Sequence, residues 1–157
     1  MQEPRVEIDE TDKRLLALVQ RNAHLTAQEL GDALNLSASQ AGRRRQRLEA
    51  EGLISSYAAR LDPMRLGLAV QAFVQVQMAR HGADTTVAFS RLVALQPEII
   101  SAWTLTGEAD YLLRVYCENL SALNRLIHQV LLAHPAVARV QSQIVMDQFK
   151  HDAPLPT

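Results

Sequence analysis

The first third of the chain carries apolar residues at spacings of three and four, which is the period of an amphipathic helix. The clearest group follows shortly after Asp9 and consists of Leu15, Leu16, Leu18 and Val19. Carboxylates precede this group, and negative charge favours the amino-terminal end of a helix through its dipole. The pattern therefore predicts a first helix that begins near Asp9.

Two capping boxes predict two further helices. In a capping box, the side chain that begins the helix and the side chain three residues later each bond to the other's backbone amide. Thr26 with Glu29 has this spacing, and so does Ser37 with Gln40. The third helix is expected to continue until Gly52, because glycine is common just past a helix end. The short joint between the second and third helices is typical of a helix-turn-helix domain that binds DNA.

Beyond Gly52 the pattern changes to alternation. The segment LISSYAARLD (53–62) predicts a short strand, and Asp62-Pro63 with Gly67 marks a break in regular structure. Strand and helix periods then alternate, and they predict in order a strand over 68–79, a helix over 84–96, strands over 98–106 and 109–117, a helix over 119–134 and a strand over 136–147. This βαββαβ order is that of a ferredoxin-like sandwich.

These elements predict an α+β chain with two domains. Residues 1–60 are expected to form a winged-helix-like helix-turn-helix domain, and residues 68–150 a ferredoxin-like βαββαβ domain. Residues 61–67 are expected to be a linker, and residues 151–157 a C-terminal tail.

The predicted strand over 68–79 divides its side chains between two faces of the sheet. One face is apolar and is expected to pack under the helices; it holds Leu68, Val70, Ala72, Val74, Val76 and Met78. The opposite face is expected to hold the following large side chains among glutamines: Phe73, Trp103, Leu105, Leu112, Tyr116, Val137 and Val145. This is more apolar surface than a wet sheet face usually carries, so we expect self-association to cover it. A half-wetted face with a few tolerated apolar groups is the alternative.

Positive charge is concentrated in the third helix, although the chain has a net charge of -1. Arginine neutralises phosphate and can fork onto guanine O6 and N7. The side chains expected to contact DNA bases are Ser39, Gln40, Arg43 and Arg44. Arg47 is expected to contact phosphate. The alternative is a solvated helix face on which these arginines pair with Glu49 and Glu51.

Several kinds of site are not expected. The five histidines lack the close spacing that grips a metal, and Cys117, the single cysteine, cannot form an internal disulfide. No cofactor motif is present. The start of the chain has no apolar leader and no run of 18 apolar residues occurs, so we expect a cytoplasmic protein with no membrane partner.

From about Ile8 to Lys150 the chain resembles the leucine-responsive and asparagine-synthase regulator (Lrp/AsnC) family of transcription factors. The motifs that carry the resemblance are IDETDKRLLALVQRNAHLTAQELGDALNLS, RRRQRLEAEGLISSYAARLDPMRLG and TGEADYLLRV. The resemblance implies a regulator whose first domain binds double-stranded DNA. It also implies that the second domain dimerises through its sheet, assembles into higher forms such as octamers, and binds a small effector, usually an amino acid.

The resemblance further implies an effector site at the loop TGEAD (106–110). The purely structural interpretation of this loop is a hairpin turn in which Gly107 takes a positive φ. In the family a Gly-x-x-Asp loop lies by the effector, so the resemblance assigns effector binding to Gly107 and Asp110, and also to Thr106 and Ser142. Trp103 lies close to the loop, and its emission is expected to report effector binding.

Two residues of the third helix depart from the family pattern. Family members generally have an aliphatic residue in place of Arg45, whose stem is expected to lie along the core while its guanidinium reaches outward. They have a larger residue where Ala41 or Gly42 stands. Gly42 costs about 0.5–1 kcal/mol relative to alanine and is expected to permit close approach to the DNA backbone.

Two other functions are considered. An amino-acid-binding or assembly protein with weak or lost DNA binding would fit the departures at Gly42 and Arg45. A siroheme-decarboxylase-like enzyme would share the two-domain architecture, but those enzymes carry a histidine on the strand that here reads IISAWTLTG. Without a titratable group on this strand, no side chain can act as the acid or base in a proton transfer, so we do not expect an enzyme.

Overall fold

The computed structural model describes residues 6–157 and divides them into two compact units. The first unit runs to Arg60 and also includes Lys150–Thr157, and the second is Leu61–Phe149. Within the first unit, Gln20 exchanges two hydrogen bonds with the backbone of Leu155, at 3.1 and 2.6 Å. The residues predicted to form a separate tail therefore pack with the helical unit. No helix of residues 6–157 is long and apolar enough to cross a membrane.

The first unit is built from the three predicted helices. They are α1 (Glu10–Arg21), α2 (Ala27–Leu34) and α3 (Ala38–Ala50). The predicted capping boxes at Thr26 and Ser37 are both present, and Asp9 forms a third with Asp12. One core joins the helices, and its buried members are Leu15, Leu16, Val19, Leu30, Leu34, Ala41 and Leu48.

A tight turn joins α2 to α3. Asn35 adopts the left-handed conformation at φ 57°, and the amide of Leu36 donates to the carbonyl of Gly31 at 2.9 Å. A Cβ added to Gly31 would lie 2.7 Å from the Leu36 carbonyl oxygen, closer than such contacts allow. The turn therefore requires glycine at position 31 and fixes the angle at which α3 leaves α2.

The strand predicted over residues 53–62 was wrong. This segment has no strand, and Tyr57 instead turns back to donate to Glu49 of α3 at 2.6 Å. A strand needs a neighbour for its backbone groups, and the described part of the first unit offers only helices. The alternation of polar and apolar residues was therefore not sufficient to predict a strand.

The second unit is an antiparallel sheet with helices on one face, as predicted. Its elements are β1 (Val70–Met78), α4 (Ala83–Ala94), β2 (Ile99–Thr104), β3 (Tyr111–Cys117), α5 (Leu120–Arg125), a π-helix (Leu126–Leu131) and β4 (Val137–Ile144). The strand order β2-β3-β1-β4 is that of a ferredoxin-like fold. The apolar face of β1 packs on Phe89, Leu123, Leu126 and Leu131.

Two details of this unit differ from prediction. The predicted helix over 119–134 becomes a π-helix in its second half, where Leu132 donates to the carbonyl of Ile127, five residues earlier. Val137 was predicted on the uncovered sheet face but packs on the helix-covered core. The cause is a shift in register between Gln77 and Met78, which reverses the alternation at that end of β4.

Candidate DNA-binding helix and effector loop

The residues of α3 that were predicted to contact DNA differ in their exposure. Ser39, Gln40, Arg43 and Arg47 are exposed, whereas Arg44 is half-buried. Gln40 also has a structural task, because its Oε1 accepts from the backbone amide of Ser37 at 3.0 Å. All five side chains lie on α3, as predicted, but they differ in their exposure and in their contacts.

An ion-pair cluster joins α3 to the start of α1. Nη1 of Arg44 lies 2.7 Å from Asp9 and 2.8 Å from Asp12, and Arg47 also pairs with Asp12. The Asp12 side chain is 1% exposed, so its carboxylate depends on these partners for its solvation. The alternative prediction was that the arginines of α3 pair with Glu49 and Glu51. Arg44 does not follow it, because its partners are Asp9 and Asp12. Contact of Arg44 and Arg47 with DNA stays a prediction.

The cluster is charged at neutral pH. Burial alone would raise the pKa of Asp12, but hydrogen bonds from Arg44, from the backbone of Asp9 and from Arg47 hold that pKa below its ordinary value. The bonds to Asp9 and Asp12 raise the pKa of Arg44. Arg44 and Arg47 thus balance the charges of Asp9 and Asp12, and Asp12 is the buried one of the two carboxylates.

Arg45 does not reach outward as predicted. Its guanidinium donates to the carbonyl of Leu25 at 2.8 Å and to that of Ala23 at 3.2 Å, and it also contacts Glu49 and Tyr57. The two carbonyls lie in the connection between α1 and α2, where backbone acceptors have no helical partner. Arg45 is therefore a structural residue of the helix-turn-helix core.

Sequence reasoning missed Gln46. This side chain is exposed on α3, three residues after Arg43 and therefore on the same face. Among residues 6–157 it makes no hydrogen bond to the protein, whereas Arg43 donates to Ser39 at 3.1 Å. The signal that indicates Gln46 is the helical period, because a residue three positions after Arg43 lies on the same face.

Asp110 is held at the predicted effector loop by the backbone of β1. Its Oδ2 accepts from the amide of Met78 at 2.7 Å, and its own amide donates to Val76 at 2.9 Å. Nδ1 of His81 lies 3.6 Å from its other oxygen. Gly107 has φ 118°, a value that favours glycine, and leaves the loop open on its outer side. Thr106 is exposed in the same loop.

Ser142 does not join these residues within one chain. It pairs with Val74 in the sheet register, four residues along β1 from the Met78 amide that Asp110 accepts. At about 3.3 Å per residue this separation is roughly 13 Å along the strand. The structure therefore brings together Thr106, Gly107 and Asp110, and it leaves Ser142 apart.

The sheet face opposite the helices, here called the open face, is partly apolar. One cross-strand row contains Trp103, Leu112, Gln75 and Gln141, and the next contains Ser101, Arg114, Phe73 and Gln143. Trp103 is 45% exposed. Arg114 donates to the hydroxyl of Tyr116 at 3.0 Å on the same face. The prediction of an apolar open face is confirmed at these positions, although Val137 lies elsewhere.

Comparison with known proteins accounts for both units. Residues 8–55 match the winged helix-turn-helix DNA-binding family, and residues 71–155 match the Lrp/AsnC ligand binding domain. The chain is 32% identical over 149 residues to the DNA-binding transcriptional activator DecR of Escherichia coli K12, covering 95% of this chain and 98% of that protein.

Further relatives agree with this assignment. The chain is 34% identical to the glutamate uptake regulatory protein of Zymomonas mobilis, over 95% of this chain and 90% of that protein. A crystal structure of a Neisseria meningitidis transcriptional regulator in complex with L-methionine matches with a TM-score of 0.91 and 37% identity, over 96% and 97% of the two chains. The chain therefore belongs to the Lrp/AsnC family of DNA-binding transcriptional regulators.

Proposed function

We propose that this protein regulates transcription by binding operator DNA through α3 and by changing that binding when an amino acid occupies its second unit. The observation that carries the proposal is the exposed, basic α3, which follows a helix-turn-helix turn fixed by Gly31 and Asn35. The major groove admits a helix presented in this way. Such a regulator acts in the compartment that contains the DNA, in accord with the expected cytoplasmic location.

An amino acid is the effector that the relatives favour. One matched structure contains L-methionine, and one relative is a regulator of glutamate uptake. In this chain, the open loop at Gly107 could offer backbone amides to a carboxylate, and Asp110 could offer an oxygen to an ammonium group. We assign effector binding to Thr106, Gly107 and Asp110. Ser142 would join them only if a second chain supplied it.

Self-association through the open face would complete the assembly. Two copies of this face would bury Trp103, Leu112 and Phe73, which water otherwise wets. We propose a homodimer as the basic unit and an octamer as a further assembly. Effector binding that differs between two arrangements of the subunits by about 1–3 kcal/mol would change DNA affinity about 5-fold to 150-fold.

A role without catalysis is part of the proposal. The strand IISAWTLTG places Ser101 and Trp103 on the open face, and neither side chain is a proton-transfer group at neutral pH. The alternative of an amino-acid-binding or assembly protein with weak or lost DNA binding is not favoured, because Arg45 binds the α1–α2 connection and a Cβ at Gly42 would face Ala27 of α2.

Fluorescence anisotropy of the full chain tests the proposal. Labelled DNA from the gene's own upstream region and a labelled scrambled duplex are each titrated with the protein, with and without each of the twenty amino acids. We expect preference for the upstream duplex and a shift by one or a few amino acids. Equal binding to both duplexes under every condition would overturn the DNA-binding proposal and favour the alternative.

The effector loop is tested separately by two matched variants. Asp110→Asn keeps an oxygen for the Met78 amide but removes the charge that an ammonium would meet, whereas Glu118→Gln removes an exposed carboxylate beyond the other end of β3. We expect the first variant to weaken amino-acid binding, measured by calorimetry, and the second to leave it unchanged. Equal affinity in both variants would remove Asp110 from the site.

A further inference from the structure

The contacts of α3 divide its polar residues into two groups. Arg44, Arg45 and Arg47 bond to partners on other elements of the first unit, as described above. Along the helix, Ser39, Arg43, Gln46 and Ala50 are all exposed and recur every three or four residues, so they share one face. We call this set the reading stripe.

The reading stripe is free to meet another molecule. Arg43 bonds only to Ser39 of the same stripe, at 3.1 Å, and Gln46 has no protein partner among residues 6–157. Breaking one exposed bond costs little, so both side chains can redirect to a ligand. Small residues flank them, since Ser39 lies one turn before Arg43 and Ala50 lies one turn after Gln46. The stripe can therefore approach a groove closely.

The chemistry of the two long side chains is that of base recognition. The planar fork of arginine matches O6 and N7 of guanine, and the amide of glutamine matches N6 and N7 of adenine. Arg43 and Gln46 are three residues apart, which is about 4.5 Å along a helix, and stacked bases are about 3.4 Å apart. The two side chains therefore span the distance between neighbouring base pairs.

We propose that Arg43 and Gln46 determine the operator sequence by contacting a guanine and an adenine at neighbouring base pairs of one half-site. This assignment rests on the proposed function. Gln40 and Arg44 are then not expected to contact bases. The side-chain amide of Gln40 caps α3, and Arg44 holds α3 against α1.

The test is in vitro selection from a random duplex library, followed by sequencing, with the full-length protein and its variants. Arg43→Ala and Gln46→Ala are compared with Arg125→Ala and Gln129→Ala, which remove the same groups from exposed positions of the second unit. We expect each α3 variant to lose preference at one base pair, by roughly 5-fold to 150-fold, while the second-unit variants keep the full motif.

A gain of preference makes the test sharper. Gln46→Arg should replace adenine by guanine at the position that Gln46→Ala relaxes. If the α3 variants lower affinity evenly and leave the motif unchanged, the stripe contacts phosphate and the proposal is wrong. If the unmodified protein enriches no motif at all, the proposed DNA-binding function itself fails, which is a separate outcome.

Discussion

Arg44 of α3 lies 2.8 Å from the carboxylate of Asp12, a residue of the first turn of α1 that is almost completely buried. The contact joins residues 32 apart in the chain. The contact holds α3 against α1, and the residue of α3 that makes it is one of the arginines of the basic run. Part of the arginine run therefore maintains the fold, and the remainder is available to DNA.

Asp12→Asn should destabilise the first unit. The amide cannot balance Arg44 and Arg47, and loss of a charged hydrogen-bond partner from a buried position costs about 1–3 kcal/mol. Urea unfolding followed by circular dichroism at pH 7 measures this loss. Trp103, the single tryptophan, lies in the second unit, so its emission should shift less. Glu10→Gln, at an exposed carboxylate of the same helix, is the matched control.

The same carboxylate predicts a pH dependence. Because the pKa of Asp12 is lower in the folded chain than in the unfolded chain, folding favours the ionised form. The stabilisation is complete above the unfolded pKa of about 3.9, and it is lost as pH falls through the lower folded value. Below about pH 4, the stability of the first unit should fall less steeply in Asp12→Asn than in the unmodified protein. Equal slopes would contradict the assigned pKa direction.

Two glycines of the helix-turn-helix should respond in opposite ways to the same substitution. An added Cβ at Gly42 would lie 3.6 Å from the Cβ of Ala27, an ordinary contact, whereas at Gly31 it would collide with the Leu36 carbonyl oxygen. Gly42→Ala should therefore stabilise the chain by about 0.5–1 kcal/mol through helix propensity. Gly31→Ala should destabilise it by about 1–3 kcal/mol. Urea midpoints that move in the same direction would show that the turn tolerates a side chain.

Local signals predicted more than distant ones. Thr26 with Glu29 and Ser37 with Gln40 are contacts three residues apart, and the sequence alone predicted both. The carboxylates that bind Arg44 and the backbone carbonyls that bind Arg45 lie 20 to 35 residues away, and only the packing of the three helices brings them together. Val137 illustrates a third case, because one register shift beside Met78 reversed a correct alternation.

The candidate sites divide in the same way. The positions of Arg43 and Gly107 followed from the helix period and from the turn sequence, so the sequence alone could propose them. Gln40 is restrained by its local capping box with Ser37, whereas the partner that restrains Asp110 depends on the fold, since Asp110 accepts from the amide of Met78, 32 residues away. Composition alone therefore overstated the number of side chains available to a ligand.

Leu112→Glu should disrupt self-association through the open face. Leu112 lies between Trp103 and Gln75 in one cross-strand row, so the new carboxylate would have to be buried without a partner when two faces meet. We expect sedimentation to report a monomer and the emission of Trp103 to move to longer wavelength. Leu95→Glu introduces the same charge at an exposed leucine that ends α4, on the other side of the sheet, and should keep at least the dimer. If Leu112→Glu has the mass of the unmodified protein, the open face is not the interface and another surface must hold the chains together.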